Sequence, residues 1–153
     1  MMLDEKVTHY KLSDVANELV QKAHIVLLAG IAGAGKDSLK RELLEFSEFQ
    51  DIVSHTTRAP RKNNGILEVD GSEYHFIDMA TATDMIDRQN FVEVKYVHGD
   101  TIYGTSVAEI QSGFDNQKIS ITDVDVQGVD EYKAISNNVV AVFLLPPSYD
   151  IWR

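Results

Sequence analysis

A short apolar run that leads into a glycine-rich stretch constrains this chain more than any other feature. Residues 24–30, HIVLLAG, are too few for an independent helix and end in glycine, which is typical of a strand buried on both faces of a parallel sheet. Residues 37–46, DSLKRELLEF, then return to helical spacing. Their apolar face is expected to consist of Leu39, Leu43, Leu44 and Phe46. A strand, a glycine-rich loop and a helix in this order predict an α/β unit.

The loop between them carries the strongest single motif. Gly30 to Asp37, GIAGAGKD, matches the pattern G-x-x-x-x-G-K and departs from it at the last position, where Ser or Thr is usual. Backbone N–H groups in such a loop, together with the positive end of the helix dipole, bind phosphate oxygens, and Lys36 would reach the outer phosphates. The residues expected at these phosphates are Gly30, Ala32, Gly33, Ala34, Gly35, Lys36, Asp37 and Ser38.

Asp37 leaves three interpretations open. A carboxylate close to phosphate oxygens is repelled unless a cation lies between them, so Asp37 could ligate Mg²⁺ directly or through water. Alternatively, Ser38 takes over part of the metal role and Asp37 only favours the helix N-terminus. In the third interpretation the loop has lost its metal-nucleotide chemistry. We favour a metal role.

The remaining chain alternates predicted helices and strands around a β-rich middle. Residues 12–23 have the spacing of an amphipathic helix, with Ser13 as its N-cap. That helix is expected to bury Leu12, Val15, Ala16, Leu19, Val20 and Ala23. Residues 52–77 are predicted to form a small antiparallel excursion. The further predictions are helices at 80–90, 105–114 and 128–136, and strands at 91–97, 118–126 and 138–147. This order predicts an α/β fold, a three-layer parallel sheet with a small β-rich insertion.

Composition narrows the classes of function. A chain of 153 residues with 44% hydrophobic residues is sufficient for one packed core. The formal charge of −10 argues against a sequence-independent nucleic-acid binder, because such binding depends on cations. There are no cysteines, and no apolar run approaches the length of a membrane span, so a cytoplasmic protein without a membrane partner is expected. Nothing in the sequence indicates an oligomeric state.

Two further clusters suggest anion and cation chemistry. Arg58 and Arg61 flank Pro60, which restricts the chain so that two long cations can converge on one phosphate, although they could equally be two surface arginines. Asp123 and Asp125 are spaced so that both would project from one side of a strand near its carboxyl end. Two such acids repel unless they are solvated, hydrogen-bonded or bridged by a cation.

An ordered set of motifs gives the chain a specific resemblance. GxxGxGK, SxTTRxPR, GxxYHFI, FVEV, IYGTS and DVDVQG, in this order, make the sequence similar to guanylate kinases over most of residues 24–148. The resemblance implies a fold of the P-loop kinase type, in which an ATP site on the glycine-rich loop faces a GMP-binding subdomain. It implies Mg²⁺-dependent transfer of the ATP γ-phosphoryl group to GMP. The implied GMP-binding residues are Ser54, Arg58, Arg61, Tyr74, Glu93, Tyr103, Gly104, Thr105 and Asp125.

The chemistry of guanine agrees with this assignment. Guanine presents adjacent N1–H and N2–H donors, which one carboxylate such as Glu93 can accept together, whereas adenine presents an acceptor at N1.

The catalytic residues are expected to be Lys36, Arg58, Arg61 and Asp123. The expected metal ligands are Asp37, Ser38 and Asp123.

The resemblance also implies a domain organisation. Residues 1–23 would form an N-terminal helical extension, residues 24–50 and 115–153 the core, and residues 51–114 the GMP-binding subdomain. The family continues into a lid that supplies further arginines and then a closing helix, both of which are expected to be absent here, since the sequence ends at Ile151, Trp152 and Arg153. We expect the sequence to be part of a longer protein and this length alone to be a poor enzyme.

Two other functions stay open at this point. The first is a guanylate-kinase-like module that binds GMP or a phosphorylated peptide without catalysis, which Asp37 favours and the intact Gly-Lys loop disfavours. The second is a kinase of another phosphorylated acceptor such as ribose bisphosphate, which Glu93 and the stretch Tyr103–Thr105 disfavour.

Overall fold

The structure is a computed structural model that describes residues 1–148. The helices are α1 Leu3–Thr8, α2 Asp14–Lys22, α3 Lys36–Leu43, α4 Met79–Asp87, α5 Val107–Asp115 and α6 Val126–Ile135. The strands are β1 Ile25–Gly30, β2 Phe49–Asp51, β3 His55–Thr56, β4 Lys62–Asn63, β5 Ile66–Leu67, β6 His75–Phe76, β7 Phe91–Val97, β8 Thr101–Ser106, β9 Ile119–Asp123 and β10 Val140–Leu144. The last residues of the predicted core, including Ile151, Trp152 and Arg153, lie outside the described residues.

The chain divides into two compact units. Unit 1 consists of residues 1–17 and 53–109, and unit 2 consists of residues 18–52 and 110–148. None of the helices within residues 1–148 is long and apolar enough to cross a membrane.

Unit 2 is built on a parallel sheet with the strand order β10-β1-β9-β2. Leu27, Leu28 and Ala29 are consecutive and completely buried, so both faces of β1 are covered. Ile121 on the neighbouring strand β9 is equally buried. The predicted α/β class with a parallel sheet is confirmed, and its core lies around the strand that leads into the glycine-rich loop.

Three details of unit 2 and its flanking helices differ from the prediction. β10 lies at the edge of the sheet and exposes Val140 and Phe143, although the predicted strand at 138–147 is strongly apolar. α3 ends at Leu43, so Phe46 falls beyond the helix and is 59% exposed; α3 itself has no fully buried residue. In α2, Val15 is 74% exposed whereas Ala16, Leu19 and Val20 are buried, so the apolar face is narrower than predicted.

Unit 1 contains a second sheet with the order β6-β3-β8-β7 and a separate β4-β5 hairpin. β3 pairs antiparallel with β8 but parallel with β6, so the predicted antiparallel excursion is in fact mixed. The prediction of a helix from residue 105 was wrong at its start. Thr105 and Ser106 end strand β8, which pairs with β7, and α5 begins only at Val107.

The N-terminal segment belongs to unit 1. A buried cluster consists of Ala82, Ile86, Phe91 and Ile102. Leu3, Val7 and Tyr10 pack against it. α1 was not predicted, because its six residues are too few to show a helical period in a polar sequence.

Candidate functional site

The backbone of the glycine-rich loop in unit 2 has conformations that residues other than glycine rarely adopt. Gly33 and Gly35 have φ angles of 80° and 97°, and Gly35 is the N-cap of α3. At Gly30 (φ 150°) an added Cβ would lie 2.5 Å from the carbonyl oxygen of Leu144, because β1 approaches β10 closely there. These glycines shape a loop that leaves backbone groups and the start of α3 exposed to a ligand.

A cavity of about 500 Å³ opens at this loop. Its lining residues are Ala32, Gly33, Gly35, Lys36, Asp37, Ser38 and Asp123. Most of the residues predicted to bind ATP phosphates therefore share one cavity with Asp123, whereas Gly30 and Ala34 do not line it. The ammonium of Lys36 donates a hydrogen bond to the carbonyl oxygen of Gly30 at 2.6 Å, which holds the side chain across the loop.

Oxygen atoms suited to Mg²⁺ line the same cavity. Asp37 and Ser38 stand at the first turn of α3, and Asp123 is the last residue of β9. Within residues 1–148 no cluster of three or more His, Asp or Glu side chains forms a ready-made metal site. Mg²⁺ is commonly held by one or two carboxylates, with water and substrate phosphates completing its shell, so this donor set fits the ion.

Lys40 links two of the acids in unit 2. Its ammonium lies 3.1 Å from Oδ1 of Asp51 and 3.4 Å from Oδ1 of Asp123. Burial lowers the pKa of Lys40, but the two carboxylates outweigh burial and the net pKa is raised. Lys40 therefore stays charged and offsets the negative charge at the end of β9.

The predicted pairing of Asp123 with Asp125 on one strand face is wrong. β9 ends at Asp123, and Asp125 is the N-cap of α6, where its Oδ1 accepts the Gly128 N–H at 2.7 Å. The alternation of a strand does not extend across such a cap, so the spacing of two residues does not place both carboxylates on one side.

In unit 1, Arg58 lies at the centre of a packed group of aromatic side chains. Its Cζ is 5.0 Å from the centre of the Tyr74 ring and 5.7 Å from that of Phe76. Its Nε donates to the hydroxyl of Tyr103 at 3.2 Å, and the Tyr74 and Tyr103 rings meet edge to face. The structure thus brings together three of the residues predicted to bind the GMP phosphate: Arg58, Tyr74 and Tyr103.

Glu68 is the main residue of this cluster that the sequence did not reveal. Its carboxylate receives two hydrogen bonds from the Arg58 guanidinium, at 2.7 and 2.9 Å, and a third from the Arg61 N–H at 2.8 Å. These hydrogen bonds, from Arg58 first and Arg61 second, lower the pKa of Glu68 to about 2. The same interaction raises the pKa of Arg58 above its already high ordinary value.

A tight hairpin brings Glu68 to Arg58. β4 and β5 pair across Asn64 and Gly65, whose φ angles of 51° and 80° are those of a two-residue hairpin turn. The hairpin closes where the Glu68 N–H donates to the Arg61 carbonyl oxygen at 2.9 Å. An Asn-Gly pair between short β-prone runs was a signal for this turn, from which the return of Glu68 toward Arg61 could have been inferred. The Arg61 side chain itself is exposed.

Strand β8 lies between β3, which follows Ser54, and β7, which carries Glu93. His55 pairs with Gly104 on one side, and Glu93 pairs with Thr105 on the other. The buried Thr105 hydroxyl donates to Oε1 of Glu93 at 2.9 Å, which fixes the orientation of that carboxylate. Ser54 accepts the His75 N–H through its carbonyl oxygen.

Gly104 has a steric role in this strand pair. An added Cβ would lie 2.8 Å from two carbons of the Phe91 ring and 2.9 Å from the carbonyl oxygen of Glu93. Gly104 therefore permits the close approach of β7 and β8. Its contact with GMP stays a prediction.

The predicted residues fall on both units. Those expected to bind ATP and metal lie in unit 2, and so does Asp125. Those expected to bind GMP, apart from Asp125, lie in unit 1.

Comparison with known proteins gives a consistent result. A family model described as guanylate kinase matches residues 22–152. Guanylate kinase 1 of Oryza sativa subsp. japonica is 39% identical over 127 residues, which cover 82% of this chain and 32% of the rice protein. The guanylate kinase of a Polaromonas species is 39% identical over 131 residues, which cover 85% of this chain and 61% of that protein.

A solved structure agrees with these relatives. The crystal structure of guanylate kinase from Anaplasma phagocytophilum superimposes with a TM-score of 0.65 and 25% sequence identity, covering 86% of this chain and 64% of that one. The chain spans about a third of the length of the rice relative and about three fifths of that of the Polaromonas relative. The matched region includes the glycine-rich loop, the Arg58 cluster and the Glu93–Thr105 pair, and the chain belongs to the guanylate kinase family.

Proposed function

We propose that this protein transfers the γ-phosphoryl group of ATP to GMP, giving ADP and GDP, in a reaction that requires Mg²⁺. The observation that carries the proposal is that one chain contains both kinds of site. Unit 2 has a Gly-Lys phosphate loop, and unit 1 has the Arg58 cluster on the same sheet as the Glu93–Thr105 pair. Family membership supports both halves of the assignment.

The loop of unit 2 would bind the phosphates of ATP. Backbone N–H groups and the dipole of α3 attract the phosphate oxygens, and the Lys36 ammonium would exchange the Gly30 carbonyl for an outer phosphate. Asp37, Ser38 and Asp123 would hold Mg²⁺, which supplies charge neutralisation at the outer phosphates. A metal between Asp37 and the phosphates removes the repulsion that this carboxylate would otherwise cause.

The Arg58 cluster of unit 1 would bind the phosphate of GMP. An arginine held in a fixed orientation loses little freedom when it binds, and a tyrosine hydroxyl can donate to a phosphate oxygen. Arg58 and Arg61 would supply the cations, and Tyr74 and Tyr103 the hydroxyl groups. Ser54 is proposed to complete this phosphate site.

The Glu93–Thr105 pair would read the base. The Thr105 hydrogen bond sets the plane of the Glu93 carboxylate, so that one carboxylate can accept both N1–H and N2–H of guanine. Adenine would place its N1 lone pair against this carboxylate and is therefore rejected. Asp125 is proposed as a GMP ligand from the family resemblance alone, since Oδ1 of its carboxylate already accepts the Gly128 N–H.

Turnover tests the proposal directly. ADP release is measured with ATP and each of GMP, AMP and a ribose bisphosphate as acceptor, with and without Mg²⁺, on the longest form of the protein that can be produced. We expect ADP release with GMP and Mg²⁺ only. ADP release with the ribose bisphosphate and none with GMP would contradict the proposed acceptor, and GMP binding without turnover would indicate a binding module.

A pair of lysine variants assigns the loop. Lys36→Ala is expected to lower kcat/KM by on the order of 10²-fold or more, because a donor to the transferring phosphoryl group is lost. Lys22→Ala, which removes an exposed lysine at the end of α2, serves as the control and should leave turnover unchanged. Equal effects of the two substitutions would contradict a specific role for Lys36.

A further inference from the structure

The N-terminal segment, residues 1–11, lies outside the region that the family model matches, yet it packs tightly on unit 1. Leu3 and Val7 of α1, and Tyr10 just after it, contact the buried cluster that contains Phe91. The segment is therefore an integral part of the unit that carries the proposed GMP-binding residues.

Polar contacts fix the middle and the C-terminal end of the segment. The Lys6 ammonium contacts both carboxylate oxygens of Asp87 at 2.6 and 2.8 Å, and the side-chain amide of Gln89 donates to the carbonyl oxygen of Lys11 at 2.9 Å. Asp87 ends α4, and Gln89 lies in the short connection to β7. The segment is thus held along the chain that leads directly into β7.

The Tyr10 hydroxyl completes the start of strand β7. It donates a hydrogen bond to the Phe91 carbonyl oxygen at 2.6 Å and accepts one from the Phe91 N–H at 3.0 Å. Within residues 1–148, β7 is the edge strand of its sheet, so no described strand pairs with the outward backbone groups of Phe91. Burial raises the pKa of Tyr10, despite the opposing effect of the hydrogen bond to Phe91, so the phenol keeps the proton that it donates at neutral pH.

The residue that Tyr10 holds lies at a β-bulge. Phe91 pairs with Ser106 and Glu93 pairs with Thr105, so β7 contains one residue more than β8 between these two pairs. Because side chains alternate along a strand, this extra residue decides to which face Glu93 points. Phe91 is fixed on its side-chain face as well, since its ring packs over Gly104.

We propose that Tyr10 is a positioning residue for base recognition: by binding both backbone groups of Phe91, it fixes the bulge that aims Glu93 at the guanine ring. This inference rests on the proposed role of Glu93 in reading the base. It assigns the N-terminal segment to the selectivity of GMP binding and not to the phosphate site at Arg58.

Tyr10→Phe tests the inference, because it keeps the ring in the buried cluster and removes only the hydroxyl. The first readout is hydrogen exchange at the Phe91 amide, which should become faster. The second is the ratio of the GMP and IMP dissociation constants; IMP lacks the N2 amino group that Glu93 is proposed to read. We expect this ratio to move toward unity by about fivefold, the equivalent of one net hydrogen bond, with the affinity for ribose 5-phosphate unchanged.

Tyr96→Phe is the matched control. Tyr96 lies on the same strand, but its hydroxyl donates to the Gly99 carbonyl oxygen in the following turn, beyond Glu93. It should leave both the Phe91 exchange rate and the GMP to IMP ratio at their wild-type values.

Three results would overturn the inference. They are an unchanged exchange rate at Phe91 in Tyr10→Phe, a lower thermal stability with the GMP to IMP ratio unchanged, and equal losses of GMP and ribose 5-phosphate affinity. A wild-type protein that shows no preference for GMP over IMP would instead contradict the proposed role of Glu93, and the inference about selectivity would fall with it. The exchange measurement separates the two failures because it needs no ligand.

Discussion

Four of the five N–H groups of Arg58 are hydrogen-bonded within the protein before any ligand is considered. Of its five N–H groups, those on Nε and Nη1 reach Tyr103, Ala59 and Glu68, and Nη2 makes a further bond to Glu68. The Arg58 and Glu68 side chains are only 12% and 7% exposed. A GMP phosphate would therefore meet an arginine whose position Glu68 has fixed in advance, which reduces the loss of side-chain freedom on binding.

The Arg58–Glu68 pair predicts a pH dependence of stability. Glu68 has a pKa of about 2 in the folded protein and 4.5 as the ordinary value, so the unfolded chain binds the proton more readily. The pair stabilises the folded protein fully at pH values above the ordinary pKa of Glu68. This stabilisation is lost as the pH falls toward the pKa that Glu68 has in the folded protein. Glu68→Gln should lower the free energy of unfolding at neutral pH and make its decline on acidification shallower than in the wild type.

Urea denaturation between about pH 7 and about pH 3 measures this effect. Asp84→Asn is the matched control, because the Arg88–Asp84 pair is exposed on one helix, with side chains 70% and 58% accessible. Such a pair contributes only about 0.3–0.5 kcal/mol. If Glu68→Gln and Asp84→Asn give the same pH profile, the Arg58–Glu68 pair does not contribute as the structure indicates.

Residue types and spacing predicted part of this site. Arg58 and the tyrosines were recognised because arginine and tyrosine in such an order resemble a known family. Glu68 was not recognised, because an acid within a short β-prone run, Ile66 to Val69, is usually a solvent-facing strand residue. Only the hairpin geometry reveals that it returns to Arg58.

At the scale of elements, the β7–β8 pair is the framework of the proposed base site. β7 was predicted with correct bounds from its alternation, whereas β8 was not predicted as a strand. Gly104 interrupts the β-prone run of β8. The last residues of β8, Thr105 and Ser106, directly precede α5, so the local spacing of apolar residues predicted that they belong to the helix. Pairing with β3 and β7 on both sides overrides that local preference.

Gly104→Ala tests this packing. The new methyl group would overlap the Phe91 ring and the Glu93 carbonyl oxygen, so we expect a loss of about 1–3 kcal/mol in the free energy of unfolding. Urea denaturation gives the value. In a Phe91→Leu background the loss should be smaller, because the ring is no longer present. A Gly104→Ala protein as stable as the wild type would show that the two strands are not packed as described.

At the scale of the whole molecule, the α/β class followed from the buried strand and its glycine-rich loop. β2 was not predicted, since its three residues are too short to show a pattern. The exposure of β10 could not be predicted either, because an apolar run does not reveal whether its strand lies in the middle or at the edge of a sheet. The placement of residues 1–17 in unit 1 depends on long-range contacts that sequence spacing does not encode.

Unit 1 is proposed to hold a GMP site, on the family resemblance and on the geometry of the Arg58 cluster and the Glu93–Thr105 pair. Calorimetric titration of the protein with GMP and, separately, with AMP tests it without requiring turnover. We predict that GMP binds and that AMP binds at least about 10²-fold more weakly, since the Glu93 carboxylate would face the adenine N1 lone pair. Equal affinities for the two nucleotides, or no binding of GMP, would contradict a GMP site in unit 1.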